Sequence, residues 1–588
     1  MVVKYLERFV EDEVPGGFYP ASLEELIRDR ITKHGKATVV MDASSAAILF
    51  YRDLDSICNG QLKSLRRNVE KFVKTLESWG AELIVFYPGT SEYQDLMSWK
   101  GKRLGKLESI FKAFDRMYRG ENVKKVEIQL NAAHIVVKNT FLSIKSNCKV
   151  FTSTRECDEE VAEFARDNKG VVVLAQDSDY IIYDGIECYA SMKSLNLDSL
   201  ECHVYDRKQL AAHLNLETAD LPLLATLSGN EVISEFSLRS FHAHLCGRKP
   251  RERIFERKIV FRAIADFILK NRDLTSIGRT VARFGITEKS IRDSLDMYSK
   301  GKNRPEPDVD PSEAEVLEIA RERTRLCLLS PAAYSVLYKK EFRTNNDLED
   351  FRDGKAKPIA RILRPLRQKI YGILLNDSDK TTVVEYCVEG AKQRGVYVID
   401  GFEIEAEKPR TDHPGLLRLW QQDESSETES AKFALFCEAA GIDLDLEEIR
   451  SVPPKFLFPT VALHYLCHVS GDPVFRDREA ETFLTTALLV SGAEPDSLEK
   501  IESGRPNPRA VRLSSLFLRC CGALQILNQA CGFVVSEEDS CPSNYFDGKM
   551  FQMVYAKTEA GESYRDLLQG ETSLVILLKT LLAIVHSN

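Results

Sequence analysis

The sequence has no apolar run long enough to cross a membrane. Its longest candidate, SLVILLKTLLAIV near the C-terminus, is short and is interrupted by Lys579, whereas a membrane-spanning helix needs about 20 apolar residues. A buried helix is the better interpretation of this segment. The first residues, MVVKYLERFVEDEV, lack the basic, apolar and small-residue regions of a signal peptide. The sequence therefore predicts a protein with neither a membrane segment nor a secretion signal.

Common metal-binding and nucleotide-binding motifs are also lacking. The 14 cysteines contain no CxxC pair, which argues against a zinc site and for reduced, buried thiols in an intracellular protein. No Walker A motif is present and no GxGxxG follows a predicted strand, so no nucleotide cofactor is expected. The histidines form no pattern of a nucleophilic site. His242, His244 and His464 stand among apolar residues and are expected to be structural.

The chain has no excess of positive charge, because its net charge is −9. A polyanionic partner would need a local basic surface or a bound metal. One stretch, residues 100–125, has nine Lys or Arg against three Asp or Glu, with aromatic residues interleaved. Lys100, Lys102, Arg103 and Lys106 in this stretch are candidate nucleic-acid-binding residues on a predicted helix. A solvated amphipathic helix with its aromatics in the core is the alternative.

At 588 residues the chain is too long for a single core, so several domains are expected. Residues 1–245 alternate strand and helix signals, which predicts a mostly parallel sheet with helices on both faces. Residues 246–300 are helical and basic, and 301–313 is a polar linker with three prolines. Residues 314–588 give mainly helical signals. The predicted fold class is an α/β N-terminal domain followed by a mainly α-helical C-terminal region.

Two pairs of carboxylates stand in register along the chain. Glu156 and Asp158 precede Asp177 and Asp179 by 21 residues each. The second pair follows an apolar strand, VVVLA, and open α/β sheets place their ligands at the carboxyl ends of strands. The first pair begins a predicted helix nearby. Because clustered like charges repel, the four acids together are expected to bind cations. Their hard oxygen ligands favour Mg²⁺ or Mn²⁺.

Each acidic element also has a structural interpretation. Acids are favoured at the start of a helix by its dipole, and DSDY is typical of an Asx turn. Asp42 ends the first predicted strand, where it can meet the second pair from a neighbouring strand, but a lone Asp there is more often a helix N-cap. Glu231, in LSGNE, is a further candidate carboxylate, and the alternative is a glycine-containing turn after a helix.

Asp42 after an apolar strand, the two acidic pairs, and LSGN followed by an acid together resemble the flap endonuclease and XPG nuclease superfamily, which has a PIN-like fold. The segments AQDSDYIIYD, LPLLATLSGNE and especially KPIARILRPLRQKIYGILLN (357–376) resemble the protein asteroid homolog family. A related group, the constitutive-coactivator-like proteins, has the same PIN-like domain with eroded acids and is the nearest alternative.

The resemblance implies a PIN-like nuclease domain over residues 1–245 with a two-metal site for Mg²⁺ or Mn²⁺. The residues that it implies as catalytic metal ligands are Asp42, Glu156, Asp158, Asp177 and Asp179, with Glu231 as a further metal ligand. It implies a metal-dependent, structure-specific endonuclease that acts on single-stranded or overhang DNA. Nuclear residence, DNA-repair partners and a part in double-strand break repair are implied with it.

The chain departs from the superfamily pattern at three places, and the first and third of them weigh against catalysis. Pro88 stands where the superfamily has an Asp, and Val2 replaces the usual glycine after the first Met. VISEFSLRSFHAHL (232–245) replaces the Gly-rich helix-hairpin-helix that follows LSGN. The sequence therefore leaves a second hypothesis open. In it the chain is a catalytically weak or inactive PIN-like protein that binds nucleic acid or proteins, including a signalling or coactivator role.

Overall fold

The computed structural model describes residues 3–89, 96–123, 131–247, 257–299, 313–352, 356–389, 392–393, 396–421, 426–469, 474–476, 478–502 and 504–587. Val2 and nearly all of the predicted linker 301–313 lie outside these residues.

The described residues contain twelve strands in three sheets. In chain order they are β1 Phe18–Ser22, β2 Ala37–Asp42, β3 Ala81–Tyr87, β4 Cys148–Thr152, β5 Val171–Ala175, β6 Tyr189–Ser191, β7 Glu201–Tyr205, β8 Glu341–Arg343, β9 Thr382–Cys387, β10 Lys392–Gln393, β11 Val396–Tyr397 and β12 Asp400–Glu405.

The described residues contain 27 α-helices, 14 of them beyond residue 300. In chain order they are α1 Leu6–Glu13, α2 Leu23–His34, α3 Ala46–Phe50, α4 Leu62–Ser78, α5 Leu96–Tyr118, α6 Asn131–Ser143, α7 Cys157–Asp167, α8 Arg207–His213, α9 Leu221–Ser228, α10 Glu235–Leu245, α11 Arg257–Lys270, α12 Leu274–Ala282, α13 Glu288–Ser299, α14 Ala314–Arg325, α15 Pro331–Lys339, α16 Ile359–Ile362, α17 Arg364–Leu374, α18 Leu416–Trp420, α19 Ser426–Ala439, α20 Leu446–Arg450, α21 Pro454–His468, α22 Glu479–Gly492, α23 Pro495–Glu499, α24 Pro508–Ala530, α25 Gly548–Glu559, α26 Tyr564–Leu567 and α27 Thr572–His586.

The chain forms two compact units, and neither is continuous in sequence. The first unit comprises Met1–Ser45, Phe72–Pro88 and Ser146–Asp308; the second comprises Ala46–Lys71, Gly89–Lys145 and Val309–Asn588. These units do not follow the predicted domain boundaries at 245, 300 and 313. The predicted boundaries themselves stay a prediction. The basic helical region that was predicted as a separate extension contributes α11, α12 and α13 to the first unit.

The first unit is built on a seven-stranded sheet with the order β1-β7-β6-β5-β2-β3-β4. The pairs β2–β3, β2–β5, β3–β4 and β5–β6 are parallel, and β7 pairs antiparallel with both β1 and β6. The central strands β2 and β5 are buried along their whole length, as expected for strands covered on both faces. Their carboxyl ends meet at one edge because they run parallel.

The second unit is mainly helical, with a small sheet of order β12-β9-β8. Its longest buried helix is α24, which packs against α6, α17, α21 and α25. This helix is long and apolar enough to cross a membrane by length and composition alone, but 72% of its apolar window is buried inside the fold. It has the properties of a core helix. The predicted fold class, a mostly parallel α/β domain followed by a helical region, is confirmed.

Candidate functional site

The ends of two parallel strands and the start of one helix bring the predicted acids together in the first unit. Asp42 is the last residue of β2, and Asp177 and Asp179 follow β5, which pairs directly with β2. Glu156 is the N-cap of α7, and Asp158 lies in its first turn. These five residues are called the acid cluster below.

The acids are close enough for their charges to interact. Burial, and then the negative charges of Glu156 and Asp179, raise the pKa of Asp158 from 3.8 to about 7. Burial also raises the pKa of Asp179 to about 6, and burial together with the Asp179 charge raises the pKa of Asp177. The acid cluster therefore resists full ionisation, and it needs protons, hydrogen-bond donors or a cation to be stable.

Tyrosine hydroxyls supply donors to the acid cluster. Three fully buried tyrosines each donate a hydrogen bond to one of its carboxylates. The pairs are Tyr180 with Asp42 Oδ2 (2.9 Å), Tyr183 with Asp158 Oδ2 (2.9 Å) and Tyr298 with Asp179 Oδ2 (3.3 Å). We call these three residues the tyrosine caps. Each cap satisfies a buried oxygen that would otherwise carry its full desolvation cost.

The second oxygens of two of these carboxylates also accept hydrogen bonds. Asp42 Oδ1 accepts from the backbone N–H and hydroxyl of Ser44 at 2.9 and 2.6 Å, and from the Cys157 thiol at 3.5 Å. Asp179 Oδ1 accepts from the backbone N–H of Val3 at 2.9 Å. Both carboxylates are therefore engaged through both of their oxygens. The N-terminal segment packs against the acid cluster although the adjacent position 2 carries valine instead of glycine.

Asp177 has the role of a turn-forming residue. Its Oδ1 accepts the backbone N–H of Asp179 at 2.9 Å, and it caps the short 3₁₀ helix Ser178–Ile181. This is the Asx geometry typical of a DSD sequence. The structural interpretation of DSDY therefore holds for Asp177, whatever further role the residue has.

The described acids do not form a preorganised metal centre. Within the described ranges, no three His, Cys, Asp or Glu side chains are grouped so that they can hold one metal ion. The carboxylate oxygens of Asp42 and Asp179 point instead to hydroxyl, thiol and amide donors. Pro88, which replaces an expected acid, is exposed just after β3. The assignment of the acid cluster as catalytic metal ligands stays a prediction, and no reaction step is derived from it.

Glu231, the sixth predicted ligand, is exposed, whereas its neighbour Asn230 is buried. Asn230 Oδ1 accepts the backbone N–H groups of Val232 and Ile233 at 3.0 and 3.1 Å. Gly229 before it has φ +103°, and a Cβ there would lie 2.8 Å from the backbone of Glu235. LSGN is thus a tight turn between α9 and α10, as its structural interpretation predicts.

Asn230 also connects this turn to the acid cluster. Its Nδ2 donates to Ser294 Oγ at 2.7 Å and to the Tyr298 hydroxyl at 3.3 Å. Ser294 Oγ lies 2.7 Å from Thr226 Oγ1, and Tyr298 in turn donates to Asp179. A buried chain of polar groups therefore runs from α9 through α13 to the end of β5.

The sequence interpretation missed the tyrosine caps. Tyr180 and Tyr183 follow the second acidic pair at helical spacing, and the hydroxyl of a buried tyrosine usually finds a hydrogen-bond partner. That pattern was visible in DSDYIIYD. Tyr298 and Asn230 lie 68 residues apart, so nothing in the sequence alone connects them with the acids.

The predicted nucleic-acid-binding residues lie on α5, in the second unit, whereas the acid cluster lies in the first. The Lys100 ammonium stands 5.2 Å from the ring centre of Tyr386, and the Arg103 guanidinium stands 5.7 Å from that of Trp99. Burial lowers the pKa of both Arg103 and Lys106, and Lys102 is exposed. Several of these cations pack within their own unit, and their binding of nucleic acid stays a prediction.

A different basic surface is present in the first unit. A groove of about 900 Å³ is lined by residues of α1, α10 and α11 and the segments beside them. Its charged lining residues are Lys4, Arg8, Arg239, Arg257 and Lys258 against Asp12, Glu13 and Glu235. Phe236 and Tyr5 also line it and are 82% and 57% exposed. We call this the basic groove.

Comparison with known proteins gives a family match and relatives. The model of the family described as "FAM120A-like domain" matches residues 214–301, the part that supplies Asn230, Ser294 and Tyr298. The constitutive coactivator of peroxisome proliferator-activated receptor gamma from Bos taurus is 25% identical over 100% of this chain and 95% of its own length. The constitutive coactivator of PPAR-gamma-like protein 1 from Homo sapiens is 28% identical over 45% of this chain and 25% of its own length.

Solved structures that resemble the chain include a flap endonuclease and the catalytic core of Rad2. The flap endonuclease-1 of Methanococcus jannaschii matches with a TM-score of 0.29 and 14% identity, over 55% of this chain and 92% of its own. The catalytic core of Rad2 in complex with DNA substrate matches with a TM-score of 0.29 and 12% identity, over 57% and 97%. Likenesses this distant carry no argument about activity.

The resemblance to the asteroid family is wrong, because the relatives that match the chain are named constitutive coactivators. The segment 357–376, on which it rested most, has a structural role. Arg364 and Arg367 from this segment bind the fully buried Glu385 at 2.8 and 2.6 Å, and the Tyr371 hydroxyl donates to the same carboxylate at 2.7 Å. These residues attach α17 to β9.

Proposed function

We propose that this chain is a PIN-like protein without nuclease activity that acts in the nucleus as a protein-binding scaffold of the coactivator kind. The observation that carries the proposal is the set of tyrosine caps, which satisfies the buried acids with hydroxyl groups of the protein itself. The names of the relatives support the coactivator role. The competing hypothesis is the endonuclease predicted from the sequence, with Mg²⁺ or Mn²⁺, single-stranded or overhang DNA and DNA-repair partners.

The energetics of the caps support this choice. A hydrogen bond to a charged group contributes about 1.5 to 3 kcal/mol. A divalent ion that coordinated Asp42, Asp158 and Asp179 through their capped oxygens would share those oxygens with the three hydroxyls or compete with them. The hydroxyls of Tyr180 and Tyr183, if displaced, would lose these hydrogen bonds inside the protein, since both tyrosines are fully buried. The caps therefore offset part of the cost of burying these acids without a cation.

The test combines a nuclease assay with metal binding. Purified protein is incubated with labelled single-stranded, overhang and flap DNA in Mg²⁺ or Mn²⁺, beside an Asp177→Asn/Asp179→Asn variant. We expect no cleavage by either protein and no shift of the unfolding midpoint of the wild type by Mn²⁺. Cleavage by the wild type that disappears in the double variant would refute the proposal.

The coactivator role needs its own measurement. A reporter gene driven by peroxisome proliferator-activated receptor gamma is expressed with and without the chain. We expect the chain and its Asp177→Asn/Asp179→Asn variant to raise the reporter signal equally, because a scaffold does not depend on carboxylate chemistry. Loss of the signal in the variant, at equal protein level, would contradict a non-catalytic mechanism.

The second candidate function is binding of single-stranded nucleic acid without cleavage, and the basic groove favours it. Cations neutralise phosphates, and exposed aromatic rings stack on bases. Among the described residues, Arg239 of this groove is exposed and makes no ion pair. Phe236, three residues before it, exposes most of its ring. The groove thus presents both kinds of contact close together.

Fluorescence polarisation of a labelled single strand tests this function across a salt series. Arg239→Ala is expected to reduce the slope of log affinity against log salt by about 0.7, which corresponds to one lost phosphate contact. Phe236→Ala is expected to weaken binding by about 1 to 3 kcal/mol without changing that slope. Arg279→Ala on α12, exposed and outside the groove lining, is the control. If all three variants give the same slope of log affinity against log salt, the basic groove is not the binding site.

A further inference from the structure

A group of cations without matching acids lies on α5 and α6 of the second unit. Arg103 and Lys106 stand three residues apart on α5 and are therefore neighbours on its surface. The His134 ring of α6 lies near both, since both of their charges act on it. In the part of the chain that the structure describes, none of these three side chains makes an ion pair or a hydrogen bond. We call these residues the cation cluster.

The members of the cation cluster repel one another in a partly buried place. Burial, and then the charges of Lys106 and Arg103, lower the pKa of His134 to about 4. Burial, and then the Arg103 charge, lower the pKa of Lys106. Asp347 is the one acid among the described residues that acts on Arg103, and Arg519 already forms an ion pair with it at 3.0 Å. The cation cluster therefore has positive charge that no described carboxylate neutralises.

The surface of α5 beside the cation cluster is open. Gly101 and Gly105 are exposed, and a Cβ at either position would meet no atom within 4 Å. A glycine inside a helix weakens that helix relative to alanine, but it lets a second backbone approach closely. The exposed Lys102 stands three residues before Gly105, and Lys106 follows it directly. This side of α5 thus offers space for another chain next to positive charge.

A phosphate monoester matches the cation cluster better than the backbone of a nucleic acid does. Such a group has a charge of about −1.5 to −2 at neutral pH and three strong acceptor oxygens. One group can therefore neutralise both Arg103 and Lys106 and also accept a hydrogen bond from His134. A nucleic-acid strand carries single charges along a line, whereas the members of the cation cluster act on one another and so lie around one point. Clustered cations of this kind recognise phosphorylated segments in proteins.

We propose that the cation cluster binds the phosphate of a phosphorylated side chain on a partner protein, whose backbone lies along Gly101 and Gly105 of α5. This inference deepens the scaffold function and rests on it, because it assigns a binding site and a partner chemistry to that scaffold. The acid cluster of the first unit takes no part in this binding.

Three probes test the proposal on the full chain. The first is a capped peptide of glycine and alanine around one phosphoserine, the second is the same peptide with unmodified serine, and the third is a short thymidine strand without a terminal phosphate. Nuclear magnetic resonance of labelled histidine rings follows the pKa of His134, whose signal is assigned with His134→Gln. A bound phosphate offsets the charges of Lys106 and Arg103. We therefore expect the phosphopeptide alone to raise the pKa of His134, by at least about one unit.

Variants on α5 then locate the binding. Lys106→Gln should weaken the phosphopeptide about tenfold and raise the unfolding midpoint of the ligand-free protein, because it relieves the repulsion within the cation cluster. Arg103→Lys keeps the charge but loses the planar fork of donors, and should also weaken binding. Lys112→Gln is the matched control, since Lys112 is exposed on the same helix and already pairs with Glu108 at 2.7 Å. It should leave phosphopeptide binding unchanged.

Several results would overturn the proposal. They are equal binding of the phosphopeptide and the serine peptide, no binding of the phosphopeptide at millimolar concentration, and binding that Lys106→Gln leaves unchanged. Tighter binding of the thymidine strand than of the phosphopeptide also overturns it and assigns the cation cluster to nucleic acid. If the phosphopeptide does not bind but the receptor reporter still responds to the chain, this inference fails while the scaffold function stands. If the phosphopeptide binds while the reporter stays silent, the site stands and the coactivator role fails.

Discussion

Replacing Asp158 by Asn should stabilise the first unit at neutral and higher pH. The pKa of Asp158 is raised from 3.8 to about 7, chiefly by burial and then by the charges of Glu156 and Asp179. Each pKa unit corresponds to about 1.4 kcal/mol of preference for the protonated form. The ionised carboxylate therefore costs the folded state up to about 4 kcal/mol. An Asn side chain removes that cost and still accepts the Tyr183 hydroxyl through its Oδ1.

The pH dependence gives the sign of the effect. Below about pH 4 the Asp158 carboxyl is protonated in both the folded and the unfolded chain, so its raised pKa does not lower the free energy of unfolding. Between about pH 4 and pH 7 the unfolded chain releases the proton first, so the stability of the wild type falls as the pH rises. Above about pH 7 the carboxyl is ionised in both states, and the stability of the wild type falls no further from this group. The advantage of Asp158→Asn should therefore appear through this window and reach about 2 to 4 kcal/mol at about pH 8.

The assay must report on the first unit alone, because the chain has two compact units. Urea unfolding followed by pulsed hydrogen exchange of the β2 and β5 amides meets that need, since both strands belong to this unit. Asp167→Asn at the exposed end of the same helix is the matched control and should change stability little. A loss of stability in Asp158→Asn at about pH 8, or an equal gain at about pH 4, would refute the reasoning.

Three further substitutions test other contacts. Tyr298→Phe removes the hydroxyl from Asp179 and should lower the unfolding free energy of the first unit by about 1 to 3 kcal/mol in the same exchange assay. Glu385→Gln leaves the buried Arg367 without its carboxylate and the half-buried Arg364 with Glu389 alone, and should cost about 3 to 5 kcal/mol in urea unfolding of the second unit. Gly229→Ala places a Cβ 2.8 Å from the backbone of Glu235 at φ +103°, and should cost about 1 to 3 kcal/mol in thermal unfolding.

Exposed positions provide controls for these substitutions. Tyr19→Phe, on the partly exposed strand β1, and Glu403→Gln, on the exposed face of β12, should change stability by less than about 0.5 kcal/mol. A cost in Tyr298→Phe no larger than that in Tyr19→Phe would show that the cap does not stabilise the acid cluster. If Glu385→Gln leaves the free energy of unfolding unchanged, Arg364 and Arg367 are solvated.

Local patterns predicted the fold and the position of the acid cluster well. The apolar strands ending at Asp42 and before Asp177 follow from strand periodicity and from the shared edge of parallel strands. The start of α7 at the first acidic pair follows from acid preference at helix N-termini. The mainly helical second half was also predictable, although its three-stranded sheet was not.

The role of the acids was less predictable, because it depends on residues far away in the sequence. Asp179 receives hydrogen bonds from Val3 and Tyr298, which lie 176 and 119 positions away. The division into units was equally hidden: residues 46–71 and 89–145 belong with the second unit, although their strand and helix signals continue the N-terminal pattern. Contacts between segments so far apart in the chain produce no periodic pattern in the sequence, so they could not be predicted from it.

The tyrosine caps have a consequence for any attempt to build catalysis into this scaffold. Returning the missing acid, by Pro88→Asp, would add a ligand at the edge of the sheet but would leave Asp42, Asp158 and Asp179 bound to hydroxyls. The rings of the three caps are buried, and their hydroxyls lie against these carboxylates, so a metal ion would compete with the hydroxyls for the carboxylate oxygens. We expect a designed nuclease on this chain to need side chains without a hydroxyl at the three caps in addition to the restored acid.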